Sequence, residues 1–395
     1  MKKKILWCGL SFLLVAALVL ASCAKEVPGE QEEEEEEEEP DLYEEYMASL
    51  SEGEYPVPRD CFEQAIEEGQ LNIYDWADWW PEELFSNFSE EFGIKIIRDH
   101  FGSASEMITK IKLYPEAEYD LLIQGGTGFA ALYYLDLLKE LNWDWMPNQE
   151  NYMLEPLMQQ WSELGYKKYG VPWEMSIDSY CYNTKHVDDP RIPSWSVVFE
   201  PDEKYRGRIT MVDDMNTVIG QALLYLGYHF NSDNEQELME ARDLLLKQKP
   251  YLYGYDSYPK RLAMQEEIWI WVAWNASGYP PYLEGCPLVN AWPTEGATVA
   301  LDPFCMPIGA THPAAAHLFA NYLARPQVNT TLINGIAYSP TSSAVKFEDL
   351  SEELRNWSGF TPPEGYLEKC EPWPYEPYSG KALELRIAIW EDLKT

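Results

Sequence analysis

Basic side chains are scarce in this sequence: 29 Lys and Arg stand against 67 Asp and Glu, a formal net charge of -38 over 395 residues. A surface that holds nucleic acid clusters Lys and Arg to displace phosphate counterions, so this balance excludes a nucleic-acid partner and favours cationic ones. The 7 cysteines are scattered, which gives neither a disulfide framework nor a zinc pattern. The 5 histidines, His100, His186, His229, His312 and His317, show no paired ligand spacing. No Ser/His/Asp or Cys/His arrangement stands out, so nothing here points to nucleophilic catalysis or a cofactor. After the first residues there is no second long apolar run, and hence no second membrane span. What is abundant is aromatic: 16 Trp and 27 Tyr in a chain that is 46% hydrophobic, long enough and apolar enough for two domains.

The N-terminus carries an address. Lys2-Lys3-Lys4 is a basic leader, Ile5 to Leu20 an apolar core, and Leu20-Ala21-Ser22-Cys23 closes it with small residues before a cysteine, which resembles a bacterial lipobox. The resemblance implies cleavage before Cys23, a thioether-linked lipid on that residue, and a mature protein held outside the cytoplasmic membrane. Residues 1–22 are then signal peptide. Residues 23–62, with an unbroken Glu32 to Glu39 run and Pro28, Pro40, Pro56 and Pro58, read as a self-repelling tether too poor in apolar surface to fold. Of the remaining thiols, Cys61, Cys181, Cys286, Cys305 and Cys370, buried free cysteines are the default. A Cys286–Cys305 bridge is the alternative.

Beyond the tether, Leu71 to Tyr74 reads as a strand and Pro81 starts a helix with Leu84, Phe85, Phe88 and Phe92 on one face before Gly93. Ile94 to Ile97 is a second strand. Ser103 and Glu106 box the start of a helix burying Met107, Ile108 and Ile111, and Tyr119 to Ile123 is a third strand. Strand and helix alternating in this way make a parallel sheet covered by helices, whose ligands bind beyond the carboxyl ends of its strands. A second such unit follows, with strands at Arg208–Val212 and Glu267–Asn275 and helices at Val218–Leu226 and Glu237–Lys247. The expected architecture is α/β in two lobes: 63–177 with 300–343 returning, and 178–299 with 344–395 returning. Several crossings would form a hinge and a cleft.

One stretch stands out chemically. Ile73-Tyr74-Asp75-Trp76-Ala77-Asp78-Trp79-Trp80-Pro81 interleaves indoles with carboxylates at a strand's carboxyl end. Flat π-faces beside anionic oxygens suit an organic cation, held by cation–π contact and charge-assisted hydrogen bonds.

That stretch, with Glu118-Tyr119-Asp120-Leu121-Leu122, Ser194 to Phe199, Tyr205 to Arg208, Asp213-Asp214, Trp274-Asn275, Trp292 to Gly296, Leu323 to Pro326 and Gly335 to Thr341, resembles the spermidine/putrescine-binding proteins of ABC importers. The motifs fall in order from Leu71 to Ser343. The resemblance implies a type II periplasmic-binding-protein-like fold, a monomer that binds a polyamine-like cation without catalysis, and delivery to a membrane permease. It places the aromatic walls on Trp76, Trp79, Trp274 and Tyr338 and the carboxylates on Asp78, Asp214 and Asp302.

Departures from the family pattern bear on the ligand. Thr217 stands where a further acid is expected, Ala300 where an aromatic is, and Gly125 to Gly128 replace an aromatic or hydroxyl group. A shorter diamine, another amine or a sugar therefore remain alternatives. A secreted glycan hydrolase, which needs paired acids beside a groove, is a more distant one. Each residue also has a structural reading: Asp213 or Asp214 as a helix cap, Asp302 as an Asx turn, Trp79 or Trp80 as a staple of the first helix, Trp274 as core. Asp75 reads as a cap or turn residue, and the glycine run as a backbone nest able to hold an anion.

Overall fold

The computed structural model describes residues 41–395, apart from Asp78, Pro377 and the side chain of Pro156. The expected signal peptide, the expected lipidation site Cys23 and the glutamate run lie outside the described residues, as does Asp78. Of the tether expected over 23–62, the part from Leu42 onward is folded. Two helices, α1 (Leu42–Ser49) and α2 (Arg59–Glu68), already belong to the folded part. Composition misleads here because four buried side chains, Tyr46, Val57, Cys61 and Phe62, supply the apolar surface that the glutamates lack. Tyr46 stacks on Phe62 at 4.8 Å.

The first lobe opens with β1 (Gln70–Trp76), α3 (Glu82–Phe92), β2 (Lys95–Phe101), α4 (Ala104–Leu113), β3 (Leu121–Ile123) and α5 (Gly126–Tyr134). Leu84, Phe85, Phe88 and Phe92 form the buried face of α3, and Gly93, at φ 68°, ends it in the left-handed conformation that glycine adopts without penalty. Ser103 caps α4 by accepting the Glu106 amide, while Glu106 reaches back to the Gly102 amide. β1 pairs in parallel with β2 on one side and β3 on the other.

The long strand β4 (Gly170–Asn183) is the spine of the molecule. Its first half pairs antiparallel with β9 (Thr298–Cys305), and β9 pairs with β3, which completes the first sheet. Between β4 and β9 the chain builds β5 (Ile209–Met211), α6 (Met215–Tyr225), α7 (Glu235–Gln248), β6 (Leu252–Tyr255), β7 (Ile270–Trp274) and β8 (Leu288–Ala291). The second half of β4 pairs with β7 and β8, and β5 lies parallel between β7 and β6. β4 and β9 thus carry the chain between two sheets of a two-lobed type II α/β fold. Both sheets are mixed, because the crossing strands run antiparallel to the βα units.

α8 (Pro313–Leu323) returns to the first lobe, packing on α2, and Glu68 accepts the amides of Ala314 and Ala315 at its N-terminus. α9 (Gly380–Lys394) closes on α6 and α7, burying Ile389 and Leu393 in the second core. The cysteines from Cys61 onward are free. A Cys286–Cys305 bridge does not form, since Cys305 Sγ accepts a hydrogen bond from the Gln124 side-chain amide beside the first sheet while Cys286 sits beside Cys181 and donates to the Ala263 carbonyl.

Gly220 gives a local test of packing. A Cβ on this α6 residue would lie 2.2 Å from the fully buried ring of Phe230. Gly220→Ala gains helix propensity of about 1 kcal/mol but must displace that ring, at about 1–3 kcal/mol. A net loss of stability is expected in chemical denaturation; a gain would show that the Phe230 pocket yields freely.

Candidate functional site

The crossing strands carry an acidic stripe. Within Val171 to Tyr180 the polar residues Glu174, Ser176 and Asp178 alternate with apolar ones, and alternation on a strand sets them on one face. Cross-strand register extends that face: Glu174 lies opposite Asp302, Ser176 opposite Ala300 and Asp178 opposite Trp274. Asp178 also accepts the hydroxyl of Thr298. On the other face Met175, Ile177 and Leu301 are buried in the first lobe's core. Glu174 and Asp178 are four residues apart, roughly 13 Å along the strand.

At one end of the stripe, directly opposed strand residues bring Glu174 and Asp302 into side-chain contact range. Asp302 is half-buried and accepts the Gly126 amide at 2.8 Å, at the N-terminus of α5, whose dipole favours an anion. The group that accepts from the backbone of the glycine run is the Asp302 carboxyl group of the chain itself. Gly126 must be glycine, since a Cβ there would sit 2.7 Å from Tyr375 and 3.2 Å from the Leu301 carbonyl. Glu174 is fully buried, and neither of its carboxyl oxygens has a hydrogen bond of ordinary geometry. Burial first, then the facing charge of Asp302, raises its pKa well above the usual carboxylate range. Burial raises that of Asp302 too, opposed by Glu174 and the Gly126 amide.

Tyr338 stands over this pair. Ser339 and Pro340 bridge antiparallel to Met175 and Glu174, so the residue before them comes level with Ser176. Ala337, at φ 60°, turns the chain into that bridge. The Tyr338 hydroxyl is buried and its pKa driven up by desolvation, then by Tyr258, Glu174 and Asp302. Tyr258, 73% exposed, places its ring 6.2 Å from that of Trp274. Its hydroxyl also feels Asp302 and Glu174, after the desolvation that chiefly raises its pKa.

At the other end, Asp214 caps α6, with one oxygen accepting the Thr217 amide at 2.7 Å. Its charge reaches Asp178, whose pKa is pushed up to about 7, chiefly by burial and against hydrogen bonds from Thr298 and Gln221. Asp213 pairs instead with Lys394. Among the described residues, no Lys, Arg or His forms an ion pair with Glu174, Asp302, Asp178 or Asp214.

The structure therefore brings Trp274, Tyr338 and Asp302 together and sets Asp214 near the far end of the same stripe. Trp79 is half-buried, its ring edge-on to Trp173 at 4.8 Å, next to Glu174. Trp76 ends β1 with its ring on Phe101 at 4.7 Å, and among the described residues no ring pair or hydrogen bond joins it to Tyr338, Tyr258 or Trp274. Trp80 is core, packed on Trp173 and Phe85. Asp75 is neither cap nor turn residue: it is buried and bonded to Arg98 and His100 of β2. Glu174, Asp178 and Tyr258 are additions. The alternation of Glu174, Ser176 and Asp178 in an apolar run was the signal for the first two; Tyr258 had none. No group of His, Cys, Asp or Glu that could hold a metal occurs among the described residues.

Comparison with known proteins agrees with this architecture. The model of the bacterial extracellular solute-binding protein family matches residues 83–361. The spermidine/putrescine-binding periplasmic protein of Salmonella typhimurium is 27% identical over 314 residues, covering 78% of this chain and 87% of that protein. The putrescine/cadaverine-binding protein of Pseudomonas aeruginosa is 26% identical over 346 residues, covering 84% and 95%. A crystal structure of a spermidine/putrescine ABC transporter substrate-binding protein from Streptococcus pneumoniae superimposes with a TM-score of 0.73 at 25% identity, covering 82% of this chain and 98% of that one. These relatives are binding components of transporters, not enzymes. With the family model spanning most of the folded part, the chain belongs to the bacterial extracellular solute-binding proteins.

Proposed function

We propose that this chain is the receptor of an ABC importer for a polyamine-like cation, held outside the cytoplasmic membrane by lipid on Cys23 and delivering its ligand, as a monomer, to a membrane permease. The observation that carries the reading is the acidic stripe on β4 and β9, flanked by Trp274, Tyr258 and Tyr338 and without a basic partner among the described residues. A methylene chain bearing ammonium groups supplies what such a stripe lacks: positive charge at intervals and an apolar body for the rings. Trp76, Trp79 and Asp78 belong to the proposed site as its first-lobe wall, and Asp214 keeps one carboxylate oxygen beyond the one its cap uses. The names of the relatives, which bind spermidine, putrescine or cadaverine, support the same class.

Calorimetric titration of the full chain tests this. Putrescine or spermidine should bind saturably, while sugars and inorganic anions give no heat of binding. Trp274→Ala should weaken amine binding roughly 3- to 30-fold, the equivalent of one desolvated cation–π contact. Binding of a sugar with no response to any amine would reject the reading.

A further inference from the structure

The acid pair on the crossing strands asks for more than a generic cation. Glu174 is a fully buried carboxyl group whose hydrogen-bonding neighbour is the Asp302 carboxyl group, and among the described residues no N–H donor reaches its oxygens, a condition that destabilises a fold unless something supplies donors. Its strand neighbour Asp302 is held on one side by the Gly126 amide and meets the Glu174 carboxyl group on the other. The titratable groups acting on the pair come from three further segments: Tyr338 before the Ser339–Pro340 bridge, Tyr258 before β7, and Tyr375 near the C-terminus. All are phenols, and no cationic side chain acts on either carboxyl group among the described residues. Ser277 lies beside the Tyr338 hydroxyl, and its own Oγ is buried without a partner of ordinary geometry.

Two carboxyl groups this close do not both ionise in an empty, buried site, so the pair holds one proton between them. We propose that Glu174 is a specificity-determining residue that, with Asp302, clasps one terminal primary ammonium group of the ligand in exchange for the proton the two carboxyl groups share. The proposal rests on the reading of this cleft as an amine site. The exchange balances: an R–NH3+ enters, the shared proton leaves to solvent, and both carboxylates are ionised around the new cation, so the net charge of the occupied pair equals that of the empty one. A primary ammonium carries three N–H donors, enough for Glu174, for Asp302 and for a third acceptor such as Ser277 Oγ. A dimethylated ammonium has one donor and leaves at least one carboxylate buried and unpaired, the situation that makes a site reject an analogue most strongly.

The test is calorimetric titration of the full chain with putrescine near pH 6.5, in two buffers of different ionisation enthalpy, where the amine itself stays protonated. Linkage between the pair and the ligand predicts about one proton released per putrescine bound. Glu174→Gln should weaken putrescine roughly 10- to 100-fold and abolish the release. N,N,N′,N′-tetramethylputrescine should bind the unmodified protein at least about 10-fold more weakly than putrescine. That comparison and the proton count need no variant, so the proposal stays testable should Glu174→Gln fail to fold. Putrescine binding with no proton released and no discrimination against the tetramethyl derivative overturns the proposal and leaves the amine site standing. Failure of every amine to bind overturns both.

Discussion

Asp120→Ala should cost this protein about 3–5 kcal/mol of stability without touching the cleft. Asp120 is completely buried just before β3, where its carboxylate accepts four hydrogen bonds. One comes from the Asn72 amide of β1 at 2.8 Å, two from the amides of Thr311 and His312 at 2.9 and 2.8 Å, and one from the His312 ring at 2.9 Å. Those donors belong to β1 and to the segment leading into α8, so a single side chain ties an inner strand of the first sheet to a helix nearly two hundred residues on. Alanine removes the acceptor and leaves three backbone N–H groups buried with no partner. An unsatisfied buried amide loses about 1–3 kcal/mol, which is why the sum is large. Asp120→Asn keeps one carbonyl oxygen and should lose roughly half as much. Chemical denaturation of both variants decides the matter. A loss below about 1 kcal/mol for Asp120→Ala would mean that water or a backbone shift takes over the carboxylate's role.

How legible this was in the sequence differs from part to part. The first three strands and the helices between them follow from local patterns: the apolar face of α3, the Gly93 stop and the Ser103–Glu106 box each act within a few residues, and the structure places them where those patterns put them. Asp120 was visible as part of a motif, but its partners Thr311 and His312 are far away in sequence, and no local period reveals them. The same limit hid the acid pair. Asp302 could be named from resemblance, yet its bond to Gly126 joins residues 176 positions apart. Glu174 matters because Gly170–Asn183 is one uninterrupted strand of 14 residues, a length that its local sequence does not announce. Once the strand is continuous, the period of two through Glu174, Ser176 and Asp178 becomes a face. The folding of residues 42–62 was obscured for the opposite reason: composition averages over a segment, and a few well-placed rings such as Tyr46 and Phe62 are enough to fold part of it.

The remaining large effect concerns pH and the strand that joins the lobes. Asp178 lies on β4 where its pairing passes from β9 to β7, and its folded-state pKa is about 7, raised chiefly by burial. An unfolded aspartate titrates near 3.9. The folded protein therefore binds this proton more tightly than the unfolded chain does. The contribution of Asp178 to stability is fully present below the unfolded value and is lost as pH rises through the folded one. Across that window of about three units the loss amounts to roughly 3–4 kcal/mol at 1.36 kcal/mol per unit. Asp178→Asn cannot ionise and still offers a carbonyl oxygen to the Thr298 hydroxyl, so it should be close to wild type at about pH 3.5, below the unfolded value, and more stable by roughly 3–4 kcal/mol at about pH 8. Chemical denaturation of the two proteins at several pH values between these limits reads the difference directly, and parallel stability curves would refute it. A ligand ammonium placed near Asp178 and Asp214 would stabilise the ionised carboxylate, so saturating putrescine or spermidine should shrink the gap between wild type and variant at pH 8. This links the chemistry of the crossing strand to occupancy of the cleft beside it.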